Sequence, residues 1–448
     1  MDKATTAPTH PPVGGGLVIS APSSGQGKTS MTLGLLRAYK RSGVSVSSAK
    51  SGPDYIDPAF HAAATGRPCW TLDGWAMSDA TLQMRTRNGR AELLVVEGAM
   101  GLFDGPVGAD SASTMVRGST AQVAHVLGLP VLLVLDARRM GQSAGAVIAG
   151  LARWTDEFKI AGVILNRVAS VRHEAMVRPA VEHICPVYGV LPEDRRLALP
   201  SRHLGLVQAS EMPELETFLD GAATVVSEHV DLDEVRDVAR PANSAQGGVS
   251  LSPIGQRIAV ARDVAFAFIY PHLVEDWRSA GAEISFFSPL ADEAPDSDCD
   301  AVFLPGGYPE LHAGLLAQNT RFMSGLAQAA SRGALIYGEC GGFMVLGDGL
   351  VDSDGVRHAM AGLLRLETSF ADRSRHLGYR LLEPLAGPWT HPLAAHEFHY
   401  STILRAEGDP LFRAKDSAGV ALPKIGLVRG NVMGSYAHII APAPTPAF

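Results

Sequence analysis

Two successions of short apolar runs, each broken by longer intervening segments, restrict the fold of this 448-residue chain more than any other feature. The first succession comprises Leu17–Ser20, Val44–Val46, Leu93–Val96, Val131–Leu135, Ile160–Leu165 and Val187–Leu191. The second comprises Ile258–Val260, Glu283–Phe287, Ala301–Leu304 and Ala334–Tyr337. Runs this short suit buried strands, and the lengths between them suit helices. After Lys28, for example, Met31, Leu35, Leu36 and Tyr39 recur at helical spacing. Alternation of this kind implies α/β architecture, with mostly parallel sheets covered by helices. Arg240–Gln256 is small, polar and aperiodic, and reads as a linker. The expected layout is a disordered lead-in over 1–16, a first unit over 17–240, a linker over 241–256 and a second unit over 257–448.

The net charge of −8 argues against nucleic acid as a partner. Cys69, Cys185, Cys299 and Cys340 lie far apart, which suits a reducing cytoplasm and offers no zinc spacing. The most apolar window, Val123–Leu135, is interrupted by His125 and Pro130 and is too short to cross a bilayer. The first residues lack an apolar signal core. A cytoplasmic protein without membrane partners is therefore expected, and a homodimer is left open.

Ser20–Thr29 follows one apolar run and opens a helical pattern. In such a loop, backbone N–H groups around Gly25 and Gly27 cradle phosphates, Lys28 reaches them and Thr29 holds Mg²⁺. Pro22 occupies the place of the first glycine of the strict phosphate-loop spacing. Ser23 stands where ParA- and MinD-type switch ATPases carry an extra lysine, which weakens that regulatory reading. Lys50–Pro58 is expected as a Gly/Pro-held loop after the second strand. Asp54 and Asp57 there bind Mg²⁺ or orient substrate, or else simply form a turn. Glu97 ends an apolar run as a metal ligand or a helix cap. Asn166 ends another as a purine contact or a cap, and Asp136 fits capping and function equally.

In Gly338-Glu339-Cys340-Gly341-Gly342 a single cysteine sits between glycines just past an apolar run. That is the pattern of a nucleophile on a sharp strand-to-helix turn, with the Gly341 N–H aimed at an oxyanion. The earlier Pro305-Gly306-Gly307-Tyr308 turn could add the Gly307 N–H. His438 is the expected base, brought to Cys340 by the fold. The histidines of His396-Glu397-Phe398-His399-Tyr400 are three apart rather than four, so the zinc-protease motif is absent, and a structural or substrate-side role fits better. Amide cleavage beside a phosphate loop suggests that released ammonia is delivered to an activated carboxylate.

Taken together, these residues resemble the cobyrinic acid a,c-diamide synthase family, including its hydrogenobyrinate-using form. The resemblance runs through Gly25–Thr29, Lys50–His61, Val95–Gly105, Gly162–Val168, Gly189–Leu206, Pro305–Glu310, Gly338–Gly342, His376–Arg380 and His396–Ser401. The stretch Gly52–Pro58 is the most discriminating. The resemblance implies a P-loop, dethiobiotin-synthetase-like domain followed by a class I, triad-type glutamine amidotransferase domain. It also implies a cobalamin-pathway reaction: ATP phosphorylates two acetate carboxylates, a and c, of a corrinoid precursor, and ammonia from L-glutamine displaces phosphate. By the same resemblance Lys28, Thr29, Lys50, Asp54, Asp57 and Glu97 serve ATP, Mg²⁺ and the phosphoryl group, Asn166 contacts adenine, and Cys340 and His438 cleave glutamine. Ala21 replaces a usual glycine, and Ile440 replaces a common second histidine. No third triad member is therefore visible near His438; Glu397, or else a backbone carbonyl or water, is expected to orient it. Substrate carboxylates are expected to meet a basic patch drawn from Lys50, Arg167, Arg195, Arg196, Arg202 and His203. The rival readings are a diamide synthase for nickel sirohydrochlorin and a switch ATPase fused to an inactive glutaminase-like module.

Overall fold

The structure, a computed structural model, describes residues 14–87, 91–108, 113–199, 208–245 and 247–444. Its first half is built on seven strands: β1 (Gly15–Ser20), β2 (Val46–Ser51), β3 (Cys69–Leu72), β4 (Leu93–Glu97), β5 (Val131–Asp136), β6 (Ile160–Asn166) and β7 (Val187–Val190). They lie in the order β3-β2-β4-β1-β5-β6-β7, and every pairing is parallel. Helices cover both faces, so β1, β4 and β5 carry continuous apolar runs, Leu17–Ile19, Leu93–Val96 and Val131–Leu135, rather than alternating. The order reverses around β1, which opens a crevice at the strands' C-terminal ends where α/β sheets bind ligands.

Two expectations need correction. Gly15 and Gly16, assigned to a disordered lead-in, begin β1; residues 1–13 lie outside the described ones. The second strand starts where it was expected to stop, at Val46, and runs to Ser51. Its polar residues hid it: Ser47, Ser48, Lys50 and Ser51 are all buried. Lys50 therefore sits in the strand, not in the loop after it. The linker is also more than a spacer. Arg240 pairs with Gly16, Asn243 donates its N–H to Leu127, and Leu251 and Ile254 are buried.

The second half has its own six-stranded sheet. Strands β8 (Arg257–Ala261), β9 (Glu283–Phe287), β10 (Ala301–Leu304) and β11 (Leu335–Glu339) are parallel and lie in the order β11-β10-β8-β9. Val432–Ser435 joins β11 in parallel and Leu427–Arg429 closes the edge antiparallel. Two further sheets, one of four strands with mixed pairing and one of five antiparallel strands, were not anticipated from sequence and hold the remaining strands. One contains His376–Pro384, Leu393–His399 and Ala437–Pro442 side by side, and so sets His376, Glu397, His399 and His438 near one another.

The two halves meet through buried contacts. Arg85 forms a two-pronged ion pair with Asp276, and both are nearly inaccessible. Tyr379 donates its hydroxyl to Asp73 at 2.9 Å and stacks on Trp75 at 4.4 Å. Removing one partner of the Arg85–Asp276 pair would strand a buried charge, at a cost of about 3–5 kcal/mol. Such contacts hold the two halves together.

Candidate active site

The turn after β1 leads directly into α1 (Lys28–Arg41). Gly27 caps that helix at φ 92°, and an added Cβ there would lie 2.4 Å from the Asn166 side-chain nitrogen. Only glycine therefore admits both the left-handed turn and the approach of β6. Asn166 donates that nitrogen to the Gln26 carbonyl at 2.9 Å, and its Oδ1 is buried without a partner among the described residues. A buried orphan acceptor beside a phosphate loop suits an amino-bearing base. Lys28 reaches across to the Met100 carbonyl and lies 3.4 Å from that of Ser23; burial lowers its pKa.

Next to this loop is a charge cluster. The Lys50 ammonium donates to Asp57 at 2.6 Å and to Glu97 at 2.9 Å, with Asp54 at 3.9 Å. Thr29 Oγ1 donates to Glu97 at 2.7 Å and lies 3.3 Å from Asp57. His61, on α2 (Ile56–Thr65), meets the other Glu97 oxygen at 2.6 Å. Burial works against the charges of Lys50, Glu97 and His61. Glu97, Asp57 and Asp54 nevertheless hold the Lys50 pKa up, and Lys50 and His61 hold that of Glu97 well below the usual carboxylate range. Asp54 behaves as the turn reading expects: its Oδ1 accepts the Ile56 and Asp57 N–H groups at the start of α2, while burial and Asp57 push its carboxyl up to about 7. Asp57, not Asp54, stands beside Thr29. The hydroxyl and carboxylate oxygens of Thr29, Asp57 and Glu97 are the hard donors that Mg²⁺ prefers.

At the other end, β11 runs into Cys340 and then the short helix Gly341–Val345. Cys340 has φ 48° and ψ −105°, a conformation L-residues rarely adopt and the one expected of a nucleophile held on an abrupt turn. Gly341 directs its N–H at the Cys340 sulfur, and an added Cβ at Gly341 would come within 3.0 Å of the Gly307 nitrogen. The two expected oxyanion donors are thus neighbours. An added Cβ at Gly306 would lie 2.2 Å from His438 Cε1 and 3.2 Å from Cys340 Cβ, so the bare glycine lets the imidazole and the thiol share one site. Burial pushes the Cys340 thiol up and lowers His438 to about 3, leaving a neutral thiol beside a neutral imidazole.

Several expectations fail here. Glu397 does not reach His438: its oxygens are taken by Arg380 at 2.7 Å and His399 at 3.0 Å. His376, Glu397 and His399 do form a ligand-type cluster, but Arg380 already supplies its countercharge. Of the expected basic patch, Lys50 is consumed by its carboxylates, Arg167 pairs with Asp136 at 2.7 Å, and Arg196 turns to Asp194 at 2.7 Å. Only Lys50 and Arg167 among the described members line the cavity, and Arg202 and His203 lie outside the described residues. Three residues were missed. His61 stands in a motif that drew notice for its aspartates. Tyr55 lies between those aspartates, yet its ring packs in the second half, 5.3 Å from Phe268, 4.4 Å from Tyr270 and 4.8 Å from His438. Glu339 was passed over beside Cys340.

One cavity of about 740 Å³ joins the two ends. Lys28, Thr29, Asp57 and Glu97 line it on one side, and Cys340, Tyr308 and His399 on the other. Between them lie Tyr55, Phe268, Phe370, Leu377 and Phe398, an aromatic and apolar wall.

Residues 17–207 match the CobQ/CobB/MinD/ParA nucleotide-binding domain, and residues 257–445 match the CobB/CobQ-like glutamine amidotransferase domain. Hydrogenobyrinate a,c-diamide synthase of Brucella anthropi is 54% identical over 434 residues, covering 95% of this chain and 98% of that protein. The synthases of the same name from Rhizobium meliloti and Rhodobacter capsulatus are 52% and 51% identical, each over 95% of this chain and over 99% and 98% of their own lengths. The chain belongs to the hydrogenobyrinate a,c-diamide synthase family. It is accordingly a glutamine amidotransferase-type ligase with a nucleotide-binding domain. None of the described helices is long and apolar enough to cross a membrane.

Proposed function

We propose that this chain amidates the a and c acetate side chains of hydrogenobyrinate, using ATP to activate each carboxylate and glutamine as nitrogen donor. The observation that carries the reading is the single cavity between phosphate loop and thiol. The thiol proton passes to His438, and the Cys340 sulfur attacks the glutamine amide carbon. Gly307 and Gly341 donate N–H groups to the resulting oxyanion. Collapse expels ammonia, which takes its proton from His438, and water then releases glutamate from the thioester. At the other end a substrate carboxylate oxygen attacks the γ-phosphorus of ATP, and ADP leaves. Lys28 lies where it can follow the charge on the transferred phosphoryl group, and the Gly25 and Gly27 turn exposes backbone N–H groups to the phosphates. Mg²⁺ held by Thr29, Asp57 and Glu97 would neutralise phosphate charge. Ammonia attacks the acyl carbon, phosphate departs, and the nitrogen sheds a proton to give the amide. The apolar wall keeps water from the acyl phosphate.

The relatives' substrate favours a metal-free corrin over its cobalt form. Mass spectrometry of the products from hydrogenobyrinate and cobyrinate, each with ATP and glutamine, checks this. Two successive replacements of OH by NH₂ are expected on hydrogenobyrinate, with slower conversion of cobyrinate. Preferential conversion of cobyrinate would reverse the substrate assignment, and no amidation of either would remove the reading.

A further inference from the structure

His438 lacks the carboxylate that normally follows a glutaminase histidine in sequence, and the structure offers one from the opposite direction. Strand β11 continues through Glu339, so side-chain alternation puts Tyr337 and Glu339 on one face, and Cys340 follows on the abrupt turn beyond the strand. Glu339 is buried with 2% exposure. Its Oε1 accepts the Ile439 N–H at 3.0 Å and the Tyr337 hydroxyl at 3.1 Å, which pins the carboxyl against the strand that carries His438. Its Oε2 is then 3.8 Å from His438 Nδ1. That nitrogen is buried and makes no hydrogen bond among the described residues.

We propose that Glu339, the residue immediately before the nucleophile, is the positioning residue of His438 and completes a Cys340–His438–Glu339 triad. The other occupants of the neighbourhood do not compete. Glu397 is bound to Arg380 and His399, Ile440 is apolar with its carbonyl accepting from His272 at 2.8 Å, and Tyr55 presents a ring face. A slight turn of the imidazole brings Nδ1–H onto Oε2, which selects the tautomer whose free Nε2 can take the thiol proton. Resting distances of this kind commonly tighten when substrate arrives. The chemistry also needs a partner for charge. Burial pushes the Glu339 carboxyl up to about 8, so an isolated anion is costly there. With the carboxyl ionised, Oε2 can accept from Nδ1–H, and the imidazolium that forms as Cys340 is deprotonated supplies the missing countercharge.

The inference rests on the reading of Cys340 and His438 as the glutamine-cleaving pair, and the test separates the two. Glu339→Gln keeps an oxygen for Ile439 and Tyr337 but places an NH₂ opposite Nδ1, which favours the wrong tautomer. Glutaminase kcat is expected to fall by about 10²–10⁴-fold with the glutamine KM unchanged, while ammonia-dependent synthesis continues at the parent rate. Glu339→Ala, which loses the structural contacts as well, should harm the glutaminase no more than the amide does. Cys340→Ala is run alongside. If it is inactive with glutamine and Glu339→Gln retains near-parental kcat, the Glu339 assignment is wrong and the dyad stands. If Cys340→Ala still cleaves glutamine, the underlying pair is wrong. Loss of ammonia-dependent synthesis in Glu339→Gln would show a fold-wide structural role and likewise overturn the proposal.

Discussion

At the phosphate end of the cavity, Lys50 is ringed by Asp57, Glu97 and Asp54, and Glu97 is shared with Thr29 and His61. At the amide end, Cys340, His438 and Glu339 are buried as deeply, but none has an opposite charge in bonding contact. Burial acts on both ends alike. In the first, neighbouring charges overcome it at Lys50 and Glu97, which stay ionised, while Asp54 is pushed up. In the second nothing overcomes it: the thiol and carboxyl are pushed up and the imidazole is lowered. The difference fits the two chemistries. Phosphoryl transfer needs fixed charge ready for a polyanion. Glutamine cleavage needs charge only while it proceeds.

The severest losses fall at the phosphate end. Lys28→Ala and Glu97→Gln should each lower synthesis by roughly 10²–10³-fold with glutamine and with ammonium alike, since phosphoryl transfer precedes use of either nitrogen source. Ammonia-dependent ADP release measures this directly. Parental rates in both variants would mean that the charge cluster serves stability rather than catalysis.

A smaller effect should appear where the two ends touch. Tyr55 belongs to the loop of Asp54 and Asp57, but its ring packs on His438, and on Phe268, whose N–H donates to the Gly306 carbonyl at 3.0 Å. Occupation of the phosphate end can therefore reach the glutaminase turn through one side chain. Tyr55→Ala should reduce the stimulation of glutaminase by ATP plus corrinoid by roughly 10-fold, the scale of ordinary coupling between sites, while the unstimulated rate changes little. Equal stimulation in variant and parent would remove Tyr55 from the connection.

What could be read from the sequence was what depends on neighbours in the chain. The Gly25–Thr29 loop and the Cys340 turn are local structures with local signatures, and the structure places both at strand ends as expected. The parallel order of each main sheet followed from alternation of runs. What escaped depends on tertiary contact. Strand β2 is buried in spite of its serines and Lys50, so its polar composition disguised it. Arg196 looked free to bind substrate until Asp194 and Glu228 were seen beside it. Glu397 shared a motif with two histidines, yet Arg380, seventeen residues away in sequence, decides what it does. Glu339 was visible all along next to Cys340, but its role depends on β11 extending past Tyr337 and on a strand that arrives a hundred residues later.

If one cavity carries ammonia from Cys340 to the activated carboxylate, that nitrogen does not mix with the bulk. The direct measurement is amidation with amide-¹⁵N glutamine in the presence of excess unlabelled ammonium, followed by mass spectrometry of the corrinoid product. The new amides should carry ¹⁵N at nearly the enrichment of the glutamine, with little dilution as ammonium is raised. Amides whose label follows the composition of the bulk ammonium pool would contradict it.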